Sequence, residues 1–379
     1  MHVTGKHSIA KRETEPAPVV VQSSQEWDGI DGPWSSFVLQ VGTPAQQVRV
    51  DISIEGQETW VVAPTGCSGS TSDCAKQRGG VFDSADSSTW QSTTTIWNNS
   101  GIYELSGLIT ESLGIDGNGE YGFDTVGLSF GGESGPALDH TIVATFNTTD
   151  FYIGQFGASP NPTYFTVSND NSSALDDPQE SFLSMLKRTG RVPSLSYSFT
   201  AGSYARRNTI KNALGSFIFG GYDASLKGPA DLSFDFAPNQ GRELVVGIQS
   251  ITASSQNNGT VDLLPESVFA ALDSSQPNIW LPLAACQKFE SAFNLTWNAT
   301  AEQYLVDSTL HDRLATENPN ITFRLGNGGS GGPTTDIVLP YSAFDLTMTN
   351  STSDAQPYFP LKRAANDTQV SLSTSNHQH

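Results

Sequence analysis

The chain is 379 residues long, with 37% hydrophobic residues, 35 glycines, 20 prolines and a formal net charge of -20. This length exceeds the size of most single domains, and the apolar content excludes an intrinsically disordered protein. The negative charge repels phosphates and anionic lipids, which excludes nucleic acid as a partner, and no run of about 18 or more apolar residues predicts a membrane span.

The start of the chain predicts a flexible leader. Residues 1–25 lack apolar periodicity and contain proline and charged residues, among them the pair Lys11-Arg12, which is typical of a processing site. No apolar stretch of signal-peptide length is visible there. We expect ordered structure to begin near Trp27.

Short strands are predicted along most of the remaining chain, because runs of Val, Ile, Phe and Thr alternate with turn-forming residues. The predicted strands are Phe37–Val41, Val48–Ile52, Thr59–Val62, Thr125–Phe130, Leu195–Thr200, Ser216–Phe219, Glu243–Ile248 and Ile321–Leu325. Helical patterns are short and few, the clearest being Pro178–Arg188 and Leu283–Ala292. The sequence therefore predicts an all-β fold with a few short helices in two lobes, 26–190 and 191–379.

Acceptor motifs for N-glycosylation, Asn-x-Ser/Thr without a central proline, occur in both halves of the chain. They begin at Asn98, Asn147, Asn171, Asn258, Asn294, Asn298, Asn320, Asn350 and Asn366. Their density predicts a glycoprotein that is secreted to the extracellular space or the cell wall.

Several local patterns follow one another in a fixed order from Trp34 onward. They are Gly42–Gln46 (GTPAQ), Phe82–Trp90 (FDSADSSTW), Tyr121–Val126 (YGFDTV) and Phe219–Asp223 (FGGYD). Together they resemble the pepsin-like aspartic proteases. The resemblance implies a bilobal all-β acid-protease fold, a monomer, and an active site that needs no cofactor and no metal.

Pepsin-like enzymes carry one catalytic aspartate in each lobe, and each aspartate begins an Asp-Thr-Gly or Asp-Ser-Gly turn. The two carboxyls share a proton, because like charges so close cannot both ionise. One carboxyl acts as base on a bound water and the other as acid, so both are needed for hydrolysis.

The second half of this chain retains the family pattern. Asp273-Ser274-Ser275 is followed by Trp280 after seven residues and by Pro282 after nine, a spacing that resembles the second-lobe site. Asp273 is then the retained catalytic position. Ser275 replaces the expected glycine, and its side chain is expected to clash with the carboxylate or turn it.

The first half departs from the pattern. Counting seven residues forward from Gln46 or seven residues back from Trp60 leads to Ser53, and the turn reads Ser53-Ile54-Glu55. The resemblance therefore implies that the first catalytic aspartate is replaced by serine and the glycine by glutamate.

Two nearby carboxyls are candidate replacements for the missing aspartate. Asp51 lies two residues upstream, so on a strand it shares a face with Ser53 but lies about 6 to 7 Å away. Glu55 occupies a glycine position, and we expect its longer side chain to point away from the cleft.

The loops around the first site match the pattern of the pepsin-like family only in part. Tyr152-Ile153-Gly154 resembles the hydrophobic-hydrophobic-glycine element that supports the first active-site loop. The interval back from Asp124 leads to Ser112, where the family carries a tyrosine over the substrate. Tyr103 or Tyr121 is an alternative for that role.

The cysteines match the family pattern in part, whereas the end of the chain departs from it. Cys67 and Cys74 resemble the small disulfide loop of the family, whereas Cys286 has no predicted partner, and the spacing does not suggest a zinc site. Residues 369–379 form a polar tail without a strand pattern. The final strands of the second lobe are therefore expected to be absent, as in a truncated lobe.

Three functions are compatible with these features. The first is a catalytically inactive or strongly impaired homologue whose cleft binds an extended peptide or an extracellular protein. The second is an active acid endopeptidase that uses Asp273 with Asp51 or Glu55. The third is a wall-associated structural glycoprotein, which the glycosylation motifs alone suggest.

Overall fold

A computed structural model describes residues 15–69, 72–105, 113–114, 117–129, 135–165, 178–204, 213–225, 232–238, 242–255, 259–349 and 355–373. Strands dominate these ranges, which confirms the all-β, bilobal pepsin-like prediction. Among the described residues, no helix is both long and apolar enough to cross a membrane.

The strands of the first half alternate with short helices. They are β1 (Val19–Val21), β2 (Ser23–Asp28), β3 (Trp34–Val41), β4 (Gln46–Ser53), β5 (Thr59–Val62), β6 (Gln91–Ser92), β7 (Ile102–Glu104), β8 (Asn118–Gly127), β9 (Ala137–Phe146), β10 (Gly154–Gly157), β11 (Tyr197–Thr200) and β12 (Ser216–Phe219). The helices are α1 (Cys74–Gln77), α2 (Thr93–Trp97) and α3 (Phe182–Arg188).

The second half likewise consists of strands that alternate with short helices. Its strands are β13 (Val245–Ser255), β14 (Gly259–Asp262), β15 (Val268–Asp273), β16 (Ile279–Pro282), β17 (Thr296–Asn298), β18 (Gln303–Leu305), β19 (Asn320–Gly326), β20 (Thr334–Pro340), β21 (Leu346–Met348), β22 (Gln356–Phe359), β23 (Leu361–Ala364) and β24 (Ser371–Ser373). Its helices are α4 (Leu283–Phe293) and α5 (Ser308–Glu317). Helix α5 had no counterpart among the predicted elements.

Two large sheets, one in each lobe, carry the same local arrangement. In the first lobe β10 lies between β4 and β5, parallel to the former and antiparallel to the latter. In the second lobe β24 lies between β15 and β16 with the same directions. In each lobe, the strand that ends at the cleft, β4 or β15, therefore pairs with the central strand, β10 or β24.

Alternation along β4 explains how its end reaches the cleft. Val48, Val50 and Ile52 are buried in the core of the first lobe, and the intervening residues face the other side. Because side chains alternate along a strand, Ser53 lies on the face opposite to Ile52.

The two lobes have separate apolar cores, and their limits differ from those predicted. Val192, Phe217 and Phe219 belong to the core of the first lobe, together with Phe37 and Phe156. The core of the second lobe begins only after residue 233. The predicted boundary at residue 190 is therefore too early, because β11 and β12 pack on the first lobe.

Both ends of the chain contain strands where none was predicted. Strand β1 pairs with β12 from Val19 onward, so part of the stretch predicted as a flexible leader forms a strand. Strand β24 lies inside the stretch predicted as a polar tail, and its three residues are fully buried. The prediction that the second lobe lacks this strand is wrong, because small serine side chains fit between β15 and β16.

Candidate active site

The ends of β4 and β15 occupy equivalent places in the two lobes. Ser53 pairs in register with Gly157 of β10, and Asp273 pairs with Ser373 of β24. Two residues earlier on the central strands, Gln155 and Ser371 pair with the tryptophans Trp60 and Trp280. Ser53 and Asp273 thus begin corresponding turns.

Ser274 connects the two turns directly. Its hydroxyl accepts a hydrogen bond from the backbone N–H of Ile54 at 3.0 Å and donates one to the carbonyl of Ile52 at 2.5 Å. These bonds are buried and join the two halves of the chain. Ile54, at the matching position of the first turn, has no hydroxyl with which to return such a bond.

Asp273 is 4% exposed and is held by its own turn. The N–H and the hydroxyl of Ser275 both donate to Oδ1, at 2.8 and 2.6 Å, and the Gln276 amide donates to Oδ2 at 3.1 Å. Burial raises the pKa of Asp273, and these donors oppose the rise. The serine at the glycine position therefore binds the carboxylate through its hydroxyl rather than clashing with it.

Ser53 and Glu55 differ from an aspartate turn in both chemistry and charge. The Ser53 hydroxyl accepts a hydrogen bond from the Gly56 N–H at 3.0 Å. Burial, followed by the negative charge of Asp273, raises the pKa of Glu55 to about 9, and the Arg242 charge opposes this. Glu55 was predicted to point away from the cleft. Its carboxyl instead lies close enough to Asp273 to respond to that charge, and it also interacts with Arg242, Glu243 and the Leu244 backbone.

Asp51 belongs to a second acidic group on the same face of β4. Burial, followed by the charges of Asp31 and Asp28, raises the pKa of Asp51 well above its ordinary value. Asp28 is neutralised by Arg49, whose guanidinium nitrogens lie 2.7 and 2.8 Å from its carboxylate. The structure thus places Asp51 beside Asp31, a residue that the sequence analysis did not single out.

The hydrophobic-hydrophobic-glycine element supports the first turn from below. Gly154 begins β10, and a side chain at this position would collide with the Trp60 carbonyl. The buried Arg78 fixes the preceding loop by donating to the carbonyls of Tyr152 and Phe151 at 2.9 and 2.8 Å. Ile153 is buried as well.

The candidate tyrosines over the cleft have structural partners. Ser112 lies outside the described residues. Tyr121 is 1% exposed, and its hydroxyl donates to Glu58, which also accepts from the indole of Trp60. Tyr103 packs edge-on against Tyr121. Glu58 was missed, since nothing in the sequence separates it from a surface glutamate.

One residue between β7 and β8 reaches the second lobe. Leu113 packs against Ala271, with Val245 and Trp280 around it, so an apolar contact spans the cleft beside the strand that carries Asp273. This contact joins the two lobes beside β15.

Other predicted residues lie away from the turns. Cys67 and Cys74 form the predicted disulfide, with a Cα–Cα distance of 5.7 Å, and Cys286 is a buried free thiol. Of the predicted glycosylation sites, five are exposed, one is half-buried and three lie outside the described residues. The exposed five are Asn98, Asn147, Asn294, Asn320 and Asn366; Asn298 is half-buried, and Asn171, Asn258 and Asn350 are not described.

Comparison with known proteins gives distant relatives. No protein-family model matches the chain. It is 24% identical to "Probable aspartic-type endopeptidase OPSB" of Arthroderma benhamiae and of Trichophyton verrucosum over 315 residues, 78% of this chain and 58% of each relative. It is 27% identical over 228 residues to "Secreted aspartic protease 7" of Candida albicans, 59% of this chain and 33% of that relative.

The chain spans little more than half the length of the OPSB relatives and a third of the Candida one. Its distant relatives are aspartic-type endopeptidases, one of them secreted, and its own architecture is the two-lobed pepsin-like fold.

Proposed function

We propose that this chain is a secreted pepsin-like homologue with little or no peptidase activity, whose cleft binds extended peptides or segments of extracellular proteins. The observation that carries the proposal is the strand register, in which Ser53 holds the place in the first lobe that Asp273 holds in the second. We infer that it acts as a monomer and without a cofactor.

In a pepsin-like active site two carboxyls share one proton. Hydrolysis in this architecture requires an ionised group to take a proton from water and a protonated group to polarise the peptide carbonyl. The Ser53 hydroxyl cannot ionise in the working range of an aspartate, and the Gly56 N–H already bonds to it. Loss of one partner in acid–base catalysis lowers the rate by about 10²- to 10⁴-fold.

The binding part of the proposal rests on the cleft itself. Ser274 holds the two turns together, so the cleft is preorganised even without a catalytic pair. Extended peptides bind such clefts by backbone hydrogen bonds and side-chain pockets.

An acid-pH proteolysis assay tests the proposal. We expect the purified chain to leave denatured haemoglobin and casein intact at pH 4, with no difference between the wild type and Asp273→Asn. A fluorescein-labelled casein digest should nevertheless bind both proteins equally well. Cleavage that a statine-type inhibitor blocks and that Asp273→Asn abolishes would refute it.

A second candidate function is acid endopeptidase activity with Glu55 as the partner of Asp273. It is favoured by the raised pKa of Glu55, about 9, which keeps this buried carboxyl protonated beside Asp273. In this alternative Glu55→Gln and Asp273→Asn each abolish inhibitor-sensitive cleavage. The remaining alternative pairs Asp273 with Asp51, and Asp51→Asn tests that pairing. The charges that raise the pKa of Asp51 are those of Asp31 and Asp28.

A further inference from the structure

A groove of about 530 Å³ lies on the second lobe, at the end of α4 and the start of α5. The hairpin β17–β18 and the start of β22 form the rest of its wall. Asn294, the residue that follows α4, lines this groove and begins the glycosylation motif Asn294-Leu295-Thr296. A sugar attached to Asn294 therefore starts at the wall of the groove.

Asn294 is accessible and is held in place by its backbone. Its φ of 59° is a left-handed conformation that asparagine tolerates at the end of a helix, and its N–H donates to the Glu290 carbonyl. Its side chain is exposed and forms no hydrogen bond with another described residue. Thr296, whose hydroxyl completes the motif, is exposed as well. The direction in which a glycan leaves the chain is thus set by the end of α4.

The groove offers both apolar and polar surface. Leu305, Leu310 and Pro357 are half-buried in its wall. Ser308 and Gln356 are exposed there, and the Ser308 hydroxyl has no hydrogen-bond partner in the described ranges. N-acetylglucosamine, the sugar that is attached to asparagine, carries hydroxyls and an acetamide around an apolar ring, so it can contact both kinds of surface.

Two further side chains of the groove are fixed by other parts of the second lobe. The Nε2 atom of His311 lies 3.0 Å from the Asp345 carboxylate, and the His311 side chain is 33% exposed. Asp307 accepts from the Leu310 N–H at 2.8 Å, at the start of α5. Side chains that are already held lose little freedom when a ligand binds, which favours binding in this groove.

We propose that the first sugars of an N-linked glycan at Asn294 dock in this groove and stabilise the second lobe. The occupant follows from the attachment point: because Asn294 itself lines the groove, the sugar binds as a tethered ligand at high effective concentration. The inference rests on the proposed secretion, which would expose the motif to glycosylation, but it does not rest on peptide binding or on the loss of catalysis.

Release of the glycan from the native protein tests the docking. The full chain is secreted behind a heterologous signal peptide by a eukaryotic host that attaches high-mannose glycans, and peptide mass spectrometry gives the occupancy of each motif. We expect Asn294 to be occupied. Endoglycosidase H should release its glycan from the native protein about tenfold more slowly than the glycan of the exposed Asn147, the effect of one or two hydrogen bonds. After denaturation the two rates should be equal.

A wall variant tests whether the groove causes the protection. Gln356→Ala removes an exposed side chain of the wall and should speed release from Asn294 by about threefold or more, with no change at Asn147. An unchanged rate at Asn294 would show that the groove does not hold the glycan.

A second pair of variants measures the effect on stability. Thr296→Val removes the motif but keeps Asn294 at the end of α4, and it should lower the urea midpoint of the glycosylated protein. Thr149→Val removes the Asn147 motif at an equally exposed threonine and should leave the midpoint unchanged. Thr296→Val should also have no effect in protein from a host that does not glycosylate.

The outcomes separate the docking from the proposed secretion. Equal release from Asn294 and Asn147 in the native protein, or an unoccupied Asn294 beside an occupied Asn147, would overturn the docking alone. A secreted protein without a glycan on any motif would overturn both the docking and the predicted glycoprotein.

Discussion

Ser274 is the residue through which one lobe holds the active-site turn of the other. Its hydroxyl is buried, accepts from the Ile54 N–H and donates to the Ile52 carbonyl, so it satisfies two backbone groups of the first lobe. Asp273 is in turn positioned by Ser275 and Gln276. The second-lobe turn is therefore complete in its hydrogen bonding, whereas the first-lobe turn lacks the reciprocal hydroxyl.

Replacing Ser274 should weaken the contact between the lobes. Ser274→Ala leaves a buried N–H and a buried carbonyl unpaired, which we expect to cost about 1–3 kcal/mol in the free energy of unfolding. Urea denaturation followed by tryptophan fluorescence measures this. Ser88→Ala removes an exposed hydroxyl bonded to a carbonyl and should change stability by less than about 0.5 kcal/mol. Equal stabilities of the two variants would show that Ser274 does not link the lobes.

The sequence predicts where the candidate active-site residues lie along the chain, but it does not predict which groups surround them in the fold. Counting from Trp60 and Trp280 identifies Ser53 and Asp273, and the strand register places these two at equivalent points, although the loss of catalysis itself stays a prediction. The orientation of Glu55 was not predictable, because the groups that interact with it lie nearly 190 or more positions later in the chain.

Arg78 organises the loops beneath the first-lobe turn. It follows helix α1 and is 3% exposed, and its guanidinium donates to four backbone carbonyls. The acceptors are Gly66, which directly precedes the disulfide loop, and Thr148, Phe151 and Tyr152 before β10. One side chain thus joins the disulfide loop to the element that supports Ser53.

Loss of this guanidinium should be strongly destabilising. Arg78→Met keeps much of the side-chain volume but leaves buried carbonyls unpaired, and we expect a loss of about 3–5 kcal/mol. Guanidinium chloride unfolding under oxidising conditions, which retain the disulfide, gives the value. Arg188→Met is the control, since Arg188 forms an exposed ion pair with Glu180 that contributes about 0–1 kcal/mol. A loss no larger than that of the control would contradict this role.

The elements themselves differ in how well the sequence predicts them. Strands that are short continuous apolar runs, such as β5 and β12, have the predicted bounds, because the sequence of each run itself indicates a buried strand. Strand β24 was missed because it is three residues long and two of them are serines. Its place is fixed by β15 and β16 on either side, which is tertiary information.

Several carboxyls of the molecule, one buried and four half-buried, have pKa values that desolvation raises. They include Asp31, Asp51, Glu55, Glu58 and Asp273. The folded protein retains protons on these groups at pH values where the unfolded chain has released them. Stability that depends on them is fully present at acid pH and is lost as pH rises.

Glu55 offers a direct test of this pH dependence. Its pKa is about 9 in the folded chain against an ordinary 4.5, so its contribution to stability should decline as pH rises from about 4.5 toward 9. We expect the unfolding temperature to be higher at pH 5 than at pH 8, and Glu55→Gln to reduce the difference. The control, Glu120→Gln at an exposed position, should retain the full difference. An unchanged difference in Glu55→Gln would contradict the burial of this carboxyl.

We propose that the first lobe presents an alcohol where hydrolysis needs a second carboxyl. Restoring the turn in Ser53→Asp/Glu55→Gly tests it most directly, with Ser53→Asn/Glu55→Gly as the isosteric control. At pH 4 we expect only the aspartate variant to gain inhibitor-sensitive cleavage of casein, with kcat/KM at least about 10²-fold above the wild type. A wild type already as active as this variant, with its activity lost in Asp273→Asn, would contradict it.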